Sequence, residues 1–231
     1  MKKLSNYIAI LIIALTGSCS IDNYAEPEET VYGEIIDVNT GKPIRTAIYD
    51  CMIQLEDLTW SDSPTPMTFS SKPDGTFVNT KVFRGKYRVT PVYGPFIPIE
   101  GKKIEIQGKT QVSFEVEPYL NVDIINLENT GTKVSVDFKV SSSNDLYKVT
   151  DAQFFAGYTN FVSNGSKIEE YRKEIDFSNV PNEEIYSQTH HMEIDNLKSD
   201  RSYYFRVGVR VDDPIAKKYN YSEVSEEILI P

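Results

Sequence analysis

Lys133-Val134-Ser135-Val136-Asp137-Phe138-Lys139-Val140 sets the fold class. Apolar side chains occupy every second residue, with Lys, Ser, Asp and Lys between them. A helix would scatter that pattern around its circumference. A strand puts Val134, Val136, Phe138 and Val140 on one face and the polar residues on the other. One face meets a core and the other meets water, as in antiparallel sheets.

The same period extends outward in both directions. Gln111-Val112-Ser113-Phe114-Glu115-Val116-Glu117 repeats it toward the N-terminus. Toward the C-terminus, Phe205, Val207, Val209 and Val211 line one side of a strand, opposite Arg206, Gly208, Arg210 and Asp212. Turn chemistry separates the runs: Asn39-Thr40-Gly41-Lys42-Pro43, Lys72-Pro73-Asp74-Gly75, Gln107-Gly108-Lys109 and Asn129-Thr130-Gly131. Helical spacing is confined to Ile168, Tyr171, Arg172 and Ile175, too short a stretch to define a helix. The 15 Tyr and 11 Phe agree with pleated, half-buried surfaces. The expected class is all-β. Pro118 closes one long strand and Tyr119-Leu120-Asn121-Val122 opens another group, so two sandwiches are expected, residues 31–118 and 119–231. Each is near the usual sandwich size of about 100 residues.

The chain has 231 residues and a net charge of -10. An acidic surface argues against a nucleic-acid partner, because phosphate backbones are held by cations. Hydrophobic residues make up 40% of the sequence, too few for a multi-span membrane protein. Lys2 and Lys3 precede Tyr7-Ile8-Ala9-Ile10-Leu11-Ile12-Ile13-Ala14-Leu15, an apolar run too short to cross a bilayer and suited to a secretory signal over 1–18. Thr16-Gly17-Ser18 then leads to Cys19, an arrangement that resembles the lipobox of bacterial lipoproteins. It implies cleavage before Cys19, acylation of its thiol and a tether over 19–30. The acidic residues after Cys19 resemble the signal that sends Bacteroidetes lipoproteins to the outer face of the outer membrane. With Cys19 acylated, Cys51 has no disulfide partner. Without a nearby His it is expected to be a small buried hydrophobe.

Further resemblances rest on particular residues. Val31-Tyr32-Gly33-Glu34-Ile35-Ile36-Asp37, Thr40-Gly41-Lys42-Pro43-Ile44, Asp74-Gly75-Thr76-Phe77 and Gly85-Lys86-Tyr87-Arg88-Val89 resemble prealbumin-like sandwiches of the carboxypeptidase-regulatory type. The segment from Leu197 to Val207 is similar to the E–F region of a fibronectin type III domain. That makes Tyr203 the tyrosine corner, bonded to an upstream backbone group. Tyr221-Ser222-Glu223-Val224-Ser225 resembles the last strand of that fold, and Val136 or Phe138 fills the space of its usual tryptophan. The order of Cys19, Asp22-Asn23-Tyr24, the Gly33–Pro43 hairpin, Phe77–Phe83, Tyr87–Pro91 and Gly94–Pro98 resembles the Bacteroidetes lipoprotein family of unknown function numbered 3823. That resemblance implies an accessory of Sus-type glycan-uptake pairs, and it supplies no catalytic residues.

Chemistry-bearing motifs are sparse. The sequence has no G-x-S-x-G, H-E-x-x-H, C-x-x-C or phosphate-binding glycine loop. His190 and His191 are adjacent, so on a strand they face opposite ways and cannot jointly grip a metal; both are expected to be surface polar groups. Asp212-Asp213 lacks the repeated oxygen spacing of a calcium loop. No catalytic residue, cofactor or metal is implied. The aromatics of irregular, proline-rich segments are the better lead: Trp60 in Thr59–Pro66, and Tyr93 and Phe96 in Pro91–Pro98. Flat rings held by stiff loops stack on the C–H faces of sugars; the competing reading has them cap the core or pack between domains. Two functions remain: a glycan-binding module, or an interaction subunit docked on an outer-membrane uptake complex. Exposed aromatics with polar neighbours favour the first, and an apolar patch at the domain junction the second.

Overall fold

The computed structural model describes residues 26–231. Cys19, the signal segment and most of the tether lie outside the described residues. The alternation becomes strands β1 (Glu29–Asp37), β2 (Met52–Asp57), β3 (Met67–Ser70), β4 (Thr76–Val82), β5 (Gly85–Val92), β6 (Lys102–Ile106), β7 (Lys109–Gln111) and β8 (Phe114–Val116). One sheet runs β4-β1-β7, with β8 also on β1, and the facing sheet runs β3-β2-β5-β6. Val31, Ile35, Ile53, Leu55, Phe77 and Phe114 fill the space between them. Cys51 lies fully buried in that core, and desolvation pushes its thiol pKa up to about 12, the behaviour of an inert hydrophobe.

The Gln111–Glu117 run departs from expectation. Only Gln111, the last residue of β7, and Phe114–Val116, which is β8, are strand, and both β7 and β8 pair with β1 in parallel. Alternation fixes which face a side chain takes and leaves strand direction free; the connection after β6 brings the chain back along β1.

The second half supplies β9 (Asn121–Thr130), β10 (Lys133–Ser141), β11 (Val149–Gly157), β12 (Arg172–Asp176), β13 (His190–Ile194), β14 (Arg201–Val211), β15 (Tyr219–Tyr221) and β16 (Ile228–Ile230). A three-stranded sheet β13-β10-β9 faces β12-β11-β14-β15, with β16 also on β14. This three-on-four order is that of fibronectin type III domains. Val136 and Phe138 are both fully buried where that fold uses tryptophan. Tyr203 is fully buried and its hydroxyl points to the Lys198 carbonyl at 3.5 Å, with desolvation as the main cause of a pKa pushed up to about 12. Among the described residues no ladder joins the first eight strands to the last eight.

Ile168–Ile175, too short for a helix, holds a 3-10 turn at Glu169–Tyr171 before β12, and the short helix α1 lies at Asn182–Ser187. One local expectation changes: the outer face of β14 is not open to water. Arg206 is only 3% exposed and Gly208 is buried, because Phe155, Val162, Tyr219, Tyr221 and Ala47 of the first domain cover that face.

Candidate functional site at the domain junction

The three loop aromatics separate. Phe96 is 2% exposed and belongs to the first core, so its ring is not displayed as a stacking platform. Gly94 explains this: an added Cβ there would lie 2.0 Å from Phe96 Cε1, so the chain folds back closely enough to tuck the ring in. An isolated bridge to Pro118 fixes the segment. For Phe96 the capping reading holds.

Trp60 and Tyr93 are displayed, at 86% and 52% exposure, but at opposite ends of one sheet. Trp60 follows β2 past the pair Asp57↔Tyr87, whereas Tyr93 follows β5 past Met52↔Val92. Five register steps at about 3.3 Å each put about 17 Å between those pairs, so the two rings form no common platform.

A second exposed tyrosine stands at the same sheet end as Tyr93. Tyr49 lies three residues before Met52, at the same sheet end as Val92, and is 72% exposed. Both tyrosines have positive φ, 66° at Tyr49 and 61° at Tyr93. Left-handed backbone at a bulky residue costs about 1–3 kcal/mol and persists where the surroundings enforce it. Tyr49 was not legible as a site residue. It sits in Ala47-Ile48-Tyr49-Asp50, a segment with neither proline stiffening nor a turn signature of its own.

Cross-domain contacts hold this end in place. Asp50 accepts from Lys218 Nζ at 3.1 Å and from the Tyr221 hydroxyl at 3.3 Å. Asn220 Nδ2 donates to the Pro95 carbonyl, and Arg206 Nη1 to the Thr46 carbonyl, each at 2.9 Å. The half-exposed Ile215 of the second domain therefore approaches Tyr93. Together with Val92, Pro98, Phe96 and Tyr119 they line a shallow slot of about 140 Å³.

A second junction cleft, of about 320 Å³, is lined by Asn39, Thr40, Asn121, Ser141 and Asn220. The Asn220 Oδ1 beside it is buried without a hydrogen-bond partner among the described residues. Asp37 and Asp123 also line this cleft. Asp37 braces its own loop, accepting from Asn39 N at 2.8 Å and Thr40 Oγ1 at 2.9 Å. Asp213 is likewise a loop brace, its carboxylate accepting the amides of Ile215, Ala216 and Lys217.

The DUF3823 N-terminal domain, described as a protein of unknown function, matches residues 29–117, and the DUF3823 C-terminal domain matches 120–226. The chain belongs to the DUF3823 family. A DUF3823 protein of Bacteroides uniformis is 30% identical, with 89% of this chain and 100% of that one covered at a TM-score of 0.81. A second Bacteroides uniformis structure, described as a candidate carbohydrate-binding protein, is 24% identical over 88% of this chain and 99% of its own, with a TM-score of 0.75. A DUF3823 protein of Parabacteroides merdae is 22% identical over 87% and 98%, with a TM-score of 0.70. No curated protein matches the chain. The DUF3823 descriptions name no catalytic reaction.

Proposed function

We propose that this DUF3823 protein is a non-catalytic surface lipoprotein, anchored through Cys19 in the outer membrane and facing outward, that binds oligosaccharide at the Tyr49–Tyr93 face for a neighbouring Sus-type uptake pair. One observation carries the reading: two tyrosines at one sheet end, both held at positive φ, keep their rings more than half exposed. Strain retained to display an aromatic marks a contact surface. Phenol rings suit a sugar because they offer an apolar face and a polar tip. The carbohydrate-binding description of a relative supports the ligand class. The acidic chain disfavours strongly anionic polysaccharides.

Ile48 and Ile215, both about half-exposed, favour a second reading, in which this face docks on a protein of the uptake complex. Calorimetry against a panel of neutral oligosaccharides tests the first. Weak affinity is expected, millimolar to micromolar, or roughly 4–8 kcal/mol. Tyr93→Ala and Tyr49→Gly should each lose at least tenfold, while Trp60→Ala binds as wild type. Tyr49→Gly also checks the strain: at a left-handed position it should be about 1–2 kcal/mol more stable than Tyr49→Ala. Glycan binding undisturbed in both tyrosine variants would reject this site. Absence of any glycan ligand would favour the docking reading.

A further inference from the structure

Trp60 stands apart from the tyrosine face, and strand register shows what surrounds it. The β2–β3 loop that carries Trp60 is tied to the start of β5, since Leu58 N donates to the Lys86 carbonyl at 2.7 Å and Lys86 N to Thr59 Oγ1 at 3.0 Å. The β4–β5 turn at Phe83-Arg84 precedes that same strand start. Glu29 pairs with Val82, and Thr30 N donates to the Gly108 carbonyl at 2.9 Å. One pole of the first sandwich thus gathers exposed Trp60, Phe83 and Met67, exposed Arg84, Lys86 and Lys109, and the point where the chain enters β1. The second domain leaves from the opposite pole, after β8.

We propose that this pole rests on the lipid surface, with Trp60, Phe83 and Met67 at the headgroup boundary and Arg84, Lys86 and Lys109 facing lipid phosphates. The inference rests on the anchoring at Cys19 proposed above. Nine residues lie between Cys19 and Glu29, and the ten steps from one to the other reach at most about 36 Å even when fully extended. An anchor at that distance holds this pole, and not the tyrosine face, at high local concentration near lipid. Tryptophan and basic side chains are the groups that favour the bilayer interface. Asp57, Asp62, Glu29 and Glu105 stand at the same pole, with Glu105 opposite Lys86 across β5 and β6, so the exposed apolar side chains and the tether, not net charge, carry the inference, and the three cations add contacts to individual phosphates. The arrangement stands the molecule on its first domain and points Tyr49 and Tyr93 away from the membrane.

Trp60 is the sole tryptophan, so its fluorescence reports this pole alone. The chain beginning at Cys19 is coupled through that thiol to maleimide-headgroup lipid in vesicles of phosphatidylcholine and phosphatidylglycerol. The buried Cys51 does not compete. Chemical coupling separates this test from the cellular anchoring, which fatty-acid labelling of wild type against Cys19→Ala examines independently. Coupling should move the emission to shorter wavelength, cut acrylamide quenching several-fold and introduce quenching by brominated acyl chains. Charge reversal at Arg84→Glu and Lys86→Glu, or high salt, should weaken all three changes. Emission and acrylamide quenching equal to those of the free, thiol-capped chain would overturn the proposal. So would a shift of the free chain on adding oligosaccharide, which would return Trp60 to the glycan site.

Discussion

On β13 the neighbours His190 and His191 face opposite sides, as strand geometry requires, but only one of them is a surface group. His190 Nε2 lies 2.8 Å from the Ile185 carbonyl, and its ring packs against Phe138 and Phe177 at centroid distances of 5.4 and 4.9 Å. His191 Nδ1 lies 2.7 Å from Asp137 Oδ1 and its Nε2 lies 3.3 Å from Glu193 Oε1. Hydrogen bonds to Asp137 first and Glu193 second hold the His191 pKa above its ordinary value, while the bonds from His191 and Lys133 hold Glu193 below its own. The raised histidine stabilises the fold below its unfolded value of 6.5, and that contribution is lost as pH rises through the folded value. The depressed Glu193 stabilises above its unfolded value of 4.5 and is lost as pH falls through its folded value. The pair therefore contributes most between those two values. An NMR titration of the His191 ring should have its midpoint above 6.5, and Asp137→Asn should move it toward 6.5. Both residues are exposed, so the effect on total stability is small.

Among the elements, β1 organises the first sandwich, pairing with β4, β7 and β8. Gly33 is the residue that permits it. An added Cβ would fall 1.7 Å from the Val112 carbonyl oxygen and 2.9 Å from Phe77 Cζ. The first of these is backbone, which cannot swing aside as a flexible side chain would. Gly33→Ala should therefore destabilise by about 3 kcal/mol, at or beyond the upper end of ordinary overpacking, read as a lower urea midpoint. A wild-type midpoint would show that the β7–β8 connection yields. In the sequence Gly33 is only one residue of the Val31–Asp37 run, and its reason is a parallel neighbour that alternation does not foretell. The short helix α1 went unread for a similar reason: Ile185 is its one buried residue, too few to create a period.

At the scale of the molecule, the two sandwiches meet through polar groups that leave water together. Arg206 donates to the Ser222 and Thr46 carbonyls and lies 4.4 Å from the Tyr221 ring centre. Burial lowers its pKa to about 10, so it remains a cation at neutral pH. Arg206→Met strands the Thr46 carbonyl and should cost about 1.5–3 kcal/mol, the range for hydrogen bonds to a charged group. Calorimetry is expected to show one cooperative transition for wild type and two for Arg206→Met, as the domains cease to unfold together. A single transition of unchanged midpoint would mean that the junction is held by its apolar contacts alone.

Alternation by itself determined the all-β class, since period two assigns faces without reference to any other part of the chain. Val134, Val136, Phe138 and Val140 needed no partner to be recognised as core, and Leu197 to Tyr203 carried its corner geometry in seven consecutive residues. Tertiary structure alone decided which aromatics face solvent, because exposure depends on what packs from elsewhere. Phe96 is covered because Gly94 lets its own loop fold back over the core. Tyr49 joins Tyr93 because β2 and β5 are antiparallel, so residues more than forty apart end at the same edge. Trp60, sharing a loop chemistry with Tyr93, is carried to the other pole by that same pairing. Arg206 reads as a water-facing residue along β14 and becomes buried only when the first domain closes over it.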